Sequence, residues 1–203
     1  MLPKFFNYNE EDTNNGYESI QDFFISWAIR CAVESIETTK ECDKLVHDYS
    51  KRILYALIYG KNENGEITIP SYEDAPKLEV IDVKTYRQWN RIDLLAEVTI
   101  QRDQKEELII LNIENKWYSN LHLHQLLNAV EYVKNAYPHV KEENIRNIVL
   151  FCDEEKQTQY FDFCQQNGYL FLSAGYLITH GEPIEPERTK NTLFDTYWFD
   201  GWG

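Results

Sequence analysis

Positive charge is scarce in this chain of 203 residues, which has 20 Lys and Arg against 34 Asp and Glu and a formal net charge of −14. This excess of negative charge excludes the class of proteins that bind nucleic acid through an overall basic surface. A polyanion would have to meet a local basic patch or a bound cation. With 43% hydrophobic and 27% charged residues, the chain is also unlike a disordered or collagen-like protein. We expect a single domain over residues 1–203, since this length can bury a proper core.

Cysteine is also sparse, with four residues at positions 31, 42, 152 and 164. No two of them have CxxC spacing, and no Cys/His cluster has zinc-ligand spacing, so we expect reduced thiols in a cytoplasmic protein. The first 16 residues lack the basic-then-apolar layout of a signal peptide. Long hydrophobic runs are missing too. The longest apolar stretches, such as 53–59, are far too short to span a membrane.

Hydrophobic periodicity divides the chain into helices and strands. Residues 1–60 are predicted to form an N-terminal helical pair, because apolar residues recur there with helical spacing. A core follows over 78–173, and residues 174–203 form an aromatic C-terminal extension. Within these regions the predicted helices are 17–37, 41–59, 119–136 and 154–167, and the predicted strands are 78–84, 91–101, 107–116, 146–152 and 169–173. This order predicts an α/β fold with a mixed central sheet flanked by helices.

Two carboxylates are brought together by the predicted hairpin of the second and third strands. The short polar link between these strands is centred on Asp103-Gln104, but it lacks the glycine that would identify its turn type. A pivot at this link sets Asp93 opposite Glu114 and matches the apolar residues of the two strands on the other face. A slip of one residue would set each apolar set against the wrong face, so the register is well specified.

Like charges directly opposed in a sheet are destabilising, so the predicted pair of acids needs a group that offsets their repulsion. A bound divalent cation would do so, since Mg²⁺ is held by one or two protein carboxylates together with phosphate and water. Lys116 lies two residues beyond Glu114 on the same face of the strand. An ammonium there would orient or deprotonate a water, or stabilise charge on a phosphate. The alternative is a solvated face on which Asp93 pairs with Arg91 or Lys116.

Three short segments around this hairpin form a spaced pattern. They are Arg91-Ile92-Asp93-Leu94-Leu95, Leu111-Asn112-Ile113-Glu114-Asn115-Lys116 and, in the next helix, Gln125-Leu126. The pattern resembles the PD-(D/E)XK nuclease superfamily, in particular a branch of uncharacterised bacterial and phage members. The resemblance covers residues 78–135 well and the rest of the chain loosely. The proline of the family's name is replaced by Ile92, and a tyrosine often found four residues after the helix glutamine is replaced by Ala129.

The resemblance implies a restriction-endonuclease-like αβββαβ core and hydrolysis of phosphodiester bonds with Mg²⁺, for which Mn²⁺ could substitute. By position, it implies that Asp93 and Glu114 bind the metal, with the carbonyl of Asn115 as a third ligand. It assigns the attacking water to Lys116.

In this family an acid from the first helix often completes the site. Asp22 is the first candidate in this chain and Glu18 the second, and their spacing of four residues gives them one helix face. A solvated acid in the first helical turn is the alternative for either residue.

A basic segment, residues 83–92, is the strongest candidate for binding nucleic acid. It contains no acid, and its basic and aromatic residues are Lys84, Tyr86, Arg87, Trp89 and Arg91. Basic groups hold phosphates, and aromatic rings stack on unpaired bases. The alternative is a loop whose aromatic rings pack on the core. On the following helix, Gln125 could contact a phosphate or a base.

The aromatic end of the chain, TLFDTYWFDGWG, is expected to pack on the domain or on a second copy in a homodimer. The sequence as a whole therefore predicts a metal-dependent nuclease that hydrolyses DNA with a Mg²⁺-activated water. One alternative is a binding or regulatory module that keeps the fold without turnover, which the net charge of −14 favours. Another is an interaction protein that self-associates through its aromatic end.

Overall fold

A five-stranded mixed sheet is the centre of the fold in the computed structural model, which describes residues 17–63, 66–70, 72–116, 120–151, 157–180 and 187–200. The helices are α1 (Tyr17–Arg30), α2 (Glu41–Tyr59), α3 (Leu123–Ala136), α4 (Gln157–Gln166), α5 (Ala174–Thr179) and α6 (Thr192–Asp195). The strands are β1 (Lys61–Glu63), β2 (Glu66–Thr68), β3 (Glu79–Trp89), β4 (Ile92–Arg102), β5 (Lys105–Lys116), β6 (Ile145–Phe151) and β7 (Tyr169–Ser173). Short 3₁₀ turns cover Tyr72–Lys77 and Glu142–Asn144, and a π-helical turn covers Thr196–Asp200.

The strand order of this sheet is β3-β4-β5-β6-β7. The first three strands form an antiparallel meander, and β6 and β7 continue it in parallel with β5. The predicted α/β fold with a mixed central sheet is therefore confirmed, and it is consistent with a restriction-endonuclease-like architecture. Strands β1 and β2 form a separate hairpin that was not predicted from the sequence.

Two-residue turns join the strands of the meander. Asp103 and Gln104 both have positive φ angles, 49° and 63°, and the pair that flanks them is Arg102 opposite Lys105. Positive φ at both central residues is the geometry of a type I′ hairpin, whose twist matches that of the strands. The predicted centre of the hairpin and its register are thus confirmed, down to Leu94 opposite Ile113.

The two faces of the sheet bury different helices. One face packs against α1 and α2 through alternate residues of β4 and β5, and the other packs against α3. On the first face lie Leu94, Ala96, Val98, Ile100, Ile109, Leu111 and Ile113. The second face contributes Leu95 and Ile110, which meet Ala129 and Val133 of α3. Alternation decides the face of each side chain, and the antiparallel pairing of β4 and β5 brings Asp93 and Glu114 to the same end of the sheet.

The C-terminal extension covers α1 and α2 of its own chain. Phe194 and Tyr197 are fully buried in the larger core. The ring of Tyr197 stacks on that of Phe24, with centroids 4.0 Å apart. Packing on the domain is therefore what the structure shows for the described part of the extension, and it does not support a homodimer through it. None of the helices in the described ranges has the length and apolarity to cross a bilayer.

Some elements differ from their predicted bounds. The first helix ends at Arg30 instead of continuing to residue 37. The first strand of the meander runs to Trp89, so the basic segment 83–92 is mostly strand and not a loop. Its turn, Asn90-Arg91, again has two positive φ angles, 49° and 67°. Three of the cysteines are free thiols, at positions 31, 42 and 164, and Cys152 lies outside the described residues.

Candidate active site

The beginning of β4 and the end of β5 meet at one edge of the sheet, because the two strands are antiparallel neighbours. Leu94 pairs with Ile113, and the next residues towards this edge are Asp93 on β4 and Glu114 on β5. Both acids face the Nζ atom of Lys116, which lies 2.6 Å from Glu114 Oε1 and 4.0 Å from Asp93 Oδ2. The predicted convergence of two carboxylates and an amine is therefore present in the fold.

These charged groups are withdrawn from water. The side chains of Glu114 and Lys116 are 4% and 7% exposed, and that of Asp93 is 17% exposed. Charged side chains are almost never buried to this extent unless they are paired. The solvated face that was the alternative in the sequence analysis does not describe this arrangement, although Lys116 does pair with both acids.

Gln125 of α3 fixes the Glu114 carboxylate from the second face of the sheet. Its Nε2 donates to Glu114 Oε1 and Oε2 at 3.1 and 3.2 Å, and to the carbonyl oxygen of Arg91 at 3.0 Å. One amide group thus ties the β5 acid to the turn between β3 and β4. The glutamine of the sequence pattern therefore has a structural role in the site besides any contact with substrate.

Asp93 is held by a second set of donors. The backbone N–H of Asn115 donates to Asp93 Oδ2 at 3.0 Å, and Gln88 Nε2 donates to Asp93 Oδ1 at 3.2 Å. Gln88 has a φ of 54°, in the left-handed region that a residue with a side chain seldom occupies. Such strain is typical of functional sites, where surrounding structure fixes the conformation.

Asp22 of α1 completes the group from the first face of the sheet. It is 2% exposed, and the side-chain amide of Asn115, itself fully buried, donates to its Oδ1. Burial raises the pKa of Asp22 from 3.8 to about 7, and the negative charge of Asp93 adds to the rise. Hydrogen bonds from Asn115 and Gln88 and the charge of Arg87 act in the opposite direction. Glu18, the second candidate from this helix, has a side chain outside the described residues, so its role stays a prediction.

A comparison with protein-family models places this geometry in a known context. A model described as the PD-(D/E)XK nuclease superfamily matches residues 1–193. The chain belongs to the PD-(D/E)XK nuclease superfamily. The family identified from three short segments is therefore confirmed over almost the whole chain. No curated protein and no solved structure gives a significant match.

Membership of the PD-(D/E)XK superfamily implies a nuclease and hence a nucleic-acid partner. Members of the superfamily generally use divalent metals. In the described ranges no group of three or more His, Cys, Asp or Glu side chains is arranged to hold a metal ion. The donor chemistry nevertheless fits such an ion. Asp22, Asp93 and Glu114 carry carboxylate oxygens, which are the type of ligand that Mg²⁺ prefers.

An orphaned atom supports the same fit. Asn115 Oδ1 is buried and has no hydrogen-bond partner among the described residues. A buried polar atom without a partner carries a desolvation penalty, which a ligand or an ion can remove. The family resemblance implies that the backbone carbonyl of Asn115 is a metal ligand, and this stays a prediction. The side-chain oxygen Oδ1 is a second oxygen atom of the same residue that would be available to an ion.

The candidate nucleic-acid residues fall into two groups. Lys84, Arg87 and Arg91 are exposed on β3 and its turn. Lys84 pairs with Glu97 and Arg87 with Leu94, so strand alternation directs Lys84 to the α3 face of the sheet and Arg87 to the α1 face. Lys84 Nζ lies 3.7 Å from Asp82, an exposed contact that solvent screens. Trp89 is half-buried, and its ring lies 6.4 Å from that of Tyr137, so it packs on the core.

Two residues of this neighbourhood were not found from the sequence. Gln88 holds Asp93 and contacts Asp22, but a glutamine with positive φ carries no local signal, unlike glycine or asparagine. Phe23 projects from α1 beside Asp22 and is 56% exposed, with the guanidinium carbon of Arg87 3.4 Å from its ring centroid. Helical periodicity counts a phenylalanine as core, so only the packing of α1 could reveal its exposure.

Proposed function

We propose that this chain is a nuclease that requires a divalent metal, Mg²⁺ with Mn²⁺ as a substitute, and that hydrolyses phosphodiester bonds of DNA. The observation that supports it most directly is the convergence of Asp93 and Glu114 on Lys116 Nζ at the edge of the sheet. Buried ion pairs are weak contributors to stability, because desolvation offsets their attraction. Their presence in a nuclease fold therefore favours a chemical role over a structural one.

Each residue of the group has a role in this proposal. Asp93 and Glu114, with Asp22 and the oxygens of Asn115 beside them, would hold the metal. When bound, a divalent ion lowers the pKa of a water and polarises the phosphoryl oxygen. The Lys116 ammonium orients the attacking water or neutralises charge on the phosphate.

Local charge explains how an acidic protein could approach a polyanion. The formal net charge of −14 opposes long-range attraction. On β3 and its turn, however, Lys84, Arg87 and Arg91 are exposed cations. Arg87 precedes Gln88, which binds Asp93, and Arg91 lies two residues before Asp93. We propose that these side chains hold phosphates on either side of the cleaved bond, while Gln125 keeps Glu114 in place.

The test is a cleavage assay on linear DNA, with RNA of the same sequence as a second substrate, in Mg²⁺, in Mn²⁺ and in EDTA. We expect cleavage of DNA in either metal and none in EDTA. Asp93→Asn and Lys116→Met should each lower the rate about 100-fold or more, as loss of a metal ligand or an electrostatic catalyst does. Lys134→Met, which changes an exposed lysine paired with Glu142, is the matched control and should cleave at the wild-type rate.

Folding must be checked in the same samples, because Asp93 and Lys116 also contribute to packing. Near-ultraviolet circular dichroism should be unchanged for both variants. Metal-dependent cleavage that persists unchanged in both folded variants contradicts this site. Cleavage of RNA alone contradicts the assignment of DNA as substrate and leaves the site intact.

A nuclease-fold module without turnover is the second candidate. It is favoured by the contacts of Glu114, whose carboxylate is already occupied by Lys116 and Gln125. This function predicts that Mn²⁺ does not bind at the site. Isothermal titration calorimetry separates the two, because the nuclease should bind Mn²⁺ and lose this binding in Asp93→Asn.

A further inference from the structure

An exposed stack of two side chains lies beside the acids. Phe23 is 56% exposed, and the guanidinium of Arg87 lies over its ring at 3.4 Å from the centroid. The ring belongs to α1 and the guanidinium to β3, so the stack joins the two elements. A phenylalanine with most of its surface in water gains little from burial, so its position is not explained by the core.

Each residue of the stack is the sequence neighbour of a residue that belongs to the site. The residue before Phe23 is Asp22, which is buried and accepts a hydrogen bond from Asn115. The residue after Arg87 is Gln88, which donates to Asp93. The charge of Arg87 also acts on Asp22. A nucleotide next to a phosphate bound at this site would therefore come within reach of the ring and the guanidinium.

Planar groups of this kind recognise bases that are not paired. Aromatic rings and arginine guanidiniums stack on the faces of unpaired bases, and they do so with little dependence on sequence. In a duplex both faces of a base are covered by its neighbours, so a ring on the protein surface has no face to stack on. The net charge of −14 opposes attraction between this protein and a polyanion. Stacking would contribute binding free energy that does not depend on that charge.

We propose that the stack of Phe23 and Arg87 binds an unpaired base adjacent to the cleaved phosphate, so that the preferred substrate is single-stranded DNA. This inference rests on the proposed function and names the substrate class of the same site. Phe23 supplies the stacking face, and Arg87 both supports the ring and contacts a neighbouring phosphate.

The experiment compares single-stranded DNA with a blunt duplex of the same sequence, using KM and kcat in Mg²⁺ for each. The wild-type protein should have a KM for the single strand at least about tenfold below that for the duplex. Phe23→Leu removes the ring and keeps an apolar side chain. It should raise KM for the single strand about tenfold, with kcat little changed, and should leave the duplex values as they are. Phe23→Tyr should restore the wild-type KM.

A spectroscopic readout reports stacking directly. A 2-aminopurine base in the single strand loses fluorescence when it stacks on a ring, so it should be quenched by the wild-type protein and by Phe23→Tyr, but not by Phe23→Leu. Leu193→Ala is the matched control, because Leu193 is also 56% exposed. It should leave both KM and quenching unchanged.

The possible results separate the two proposals. Equal KM values for single strand and duplex, or Phe23→Leu with wild-type KM and quenching, overturn the base-stacking platform and leave the nuclease standing. Absence of cleavage and of binding for every nucleic acid in Mg²⁺ and Mn²⁺ overturns the proposed nuclease and this inference with it.

Discussion

The buried ion pair of Glu114 and Lys116 should be strongly coupled in stability. Its atoms are 2.6 Å apart, and the two side chains are 4% and 7% exposed. Lys116→Met keeps much of the length of the side chain and removes its charge, so the Glu114 carboxylate is left buried with the amide of Gln125. Glu114→Gln leaves the ammonium with Asp93 at 4.0 Å.

The magnitude follows from burial. Breaking a buried pair by removing one partner costs about 3–5 kcal/mol, because it leaves an uncompensated charge. Removing both charges avoids most of this penalty, since a buried neutral pair has no charge to desolvate. We therefore expect the double variant to lose less stability than the two single variants lose together. The difference, the coupling energy, should be about 2–3 kcal/mol.

Urea denaturation in EDTA at neutral pH measures the free energy of unfolding of wild type, Lys116→Met, Glu114→Gln and the double variant. The matched control is the pair of Lys134 and Glu142, which has the same distance of 2.6 Å but is 49% and 81% exposed. Solvent screens such a pair, so its cycle should show a much smaller coupling.

Additive effects at Glu114 and Lys116, within about 0.5 kcal/mol, would refute the reasoning. Such a result means that the pair is solvated or does not form. Couplings of equal size in both cycles would show that burial does not strengthen the pair, and would remove the argument for a desolvated site.

Three further predictions concern the acid of α1, the end of α2 and the C-terminal extension. Because the pKa of Asp22 is raised from 3.8 to about 7, the folded state binds the carboxyl proton of Asp22 more tightly than the unfolded state does. In EDTA, the free energy of unfolding should therefore fall by on the order of 4 kcal/mol as the pH rises from 3.8 to about 7. Asp22→Asn should remove this part of the pH dependence, and the same pH dependence in wild type and variant would contradict the prediction. A Cβ on Gly60 would lie 2.6 Å from the backbone oxygen of Ala56. Gly60→Ala should thus lower the free energy of unfolding by more than about 1 kcal/mol, whereas Gly175→Ala, which meets nothing within 4 Å in α5, should raise it by about 0.5–1 kcal/mol. Phe194→Ala should cost about 3–5 kcal/mol by urea denaturation, because the ring is fully buried, and its exposed neighbour in Leu193→Ala should change stability by less than about 0.5 kcal/mol.

The antiparallel hairpin could be predicted because the residues that specify it lie close together in the sequence. Alternation with a period of two fixes which face of each strand is buried, and a polar link of two residues fixes the pivot. Asp93 and Glu114 follow from that register without knowledge of any other element. The positive φ angles of Asp103 and Gln104 could not be predicted, since neither residue is a glycine.

Residues far apart in the chain were harder to assign. The contact of Asp22 with Asn115 joins positions 93 residues apart, and it depends on how α1 rotates on the sheet. That rotation results from many small packing contacts, none of which has a pattern of its own. For the same reason, helical periodicity did not separate the exposed Phe23 from the buried apolar residues of α1.

By itself, the sequence determined the strand register, the pair of acids with its lysine, and the family, because each is encoded in a pattern of neighbouring residues. Only the tertiary structure decided that Glu114 and Lys116 are buried together, that Gln88 bridges towards Asp22, and that Phe23 and Arg87 stack in the open. These features depend on the surfaces that helices and sheet bury against one another, and burial is a property of the whole fold.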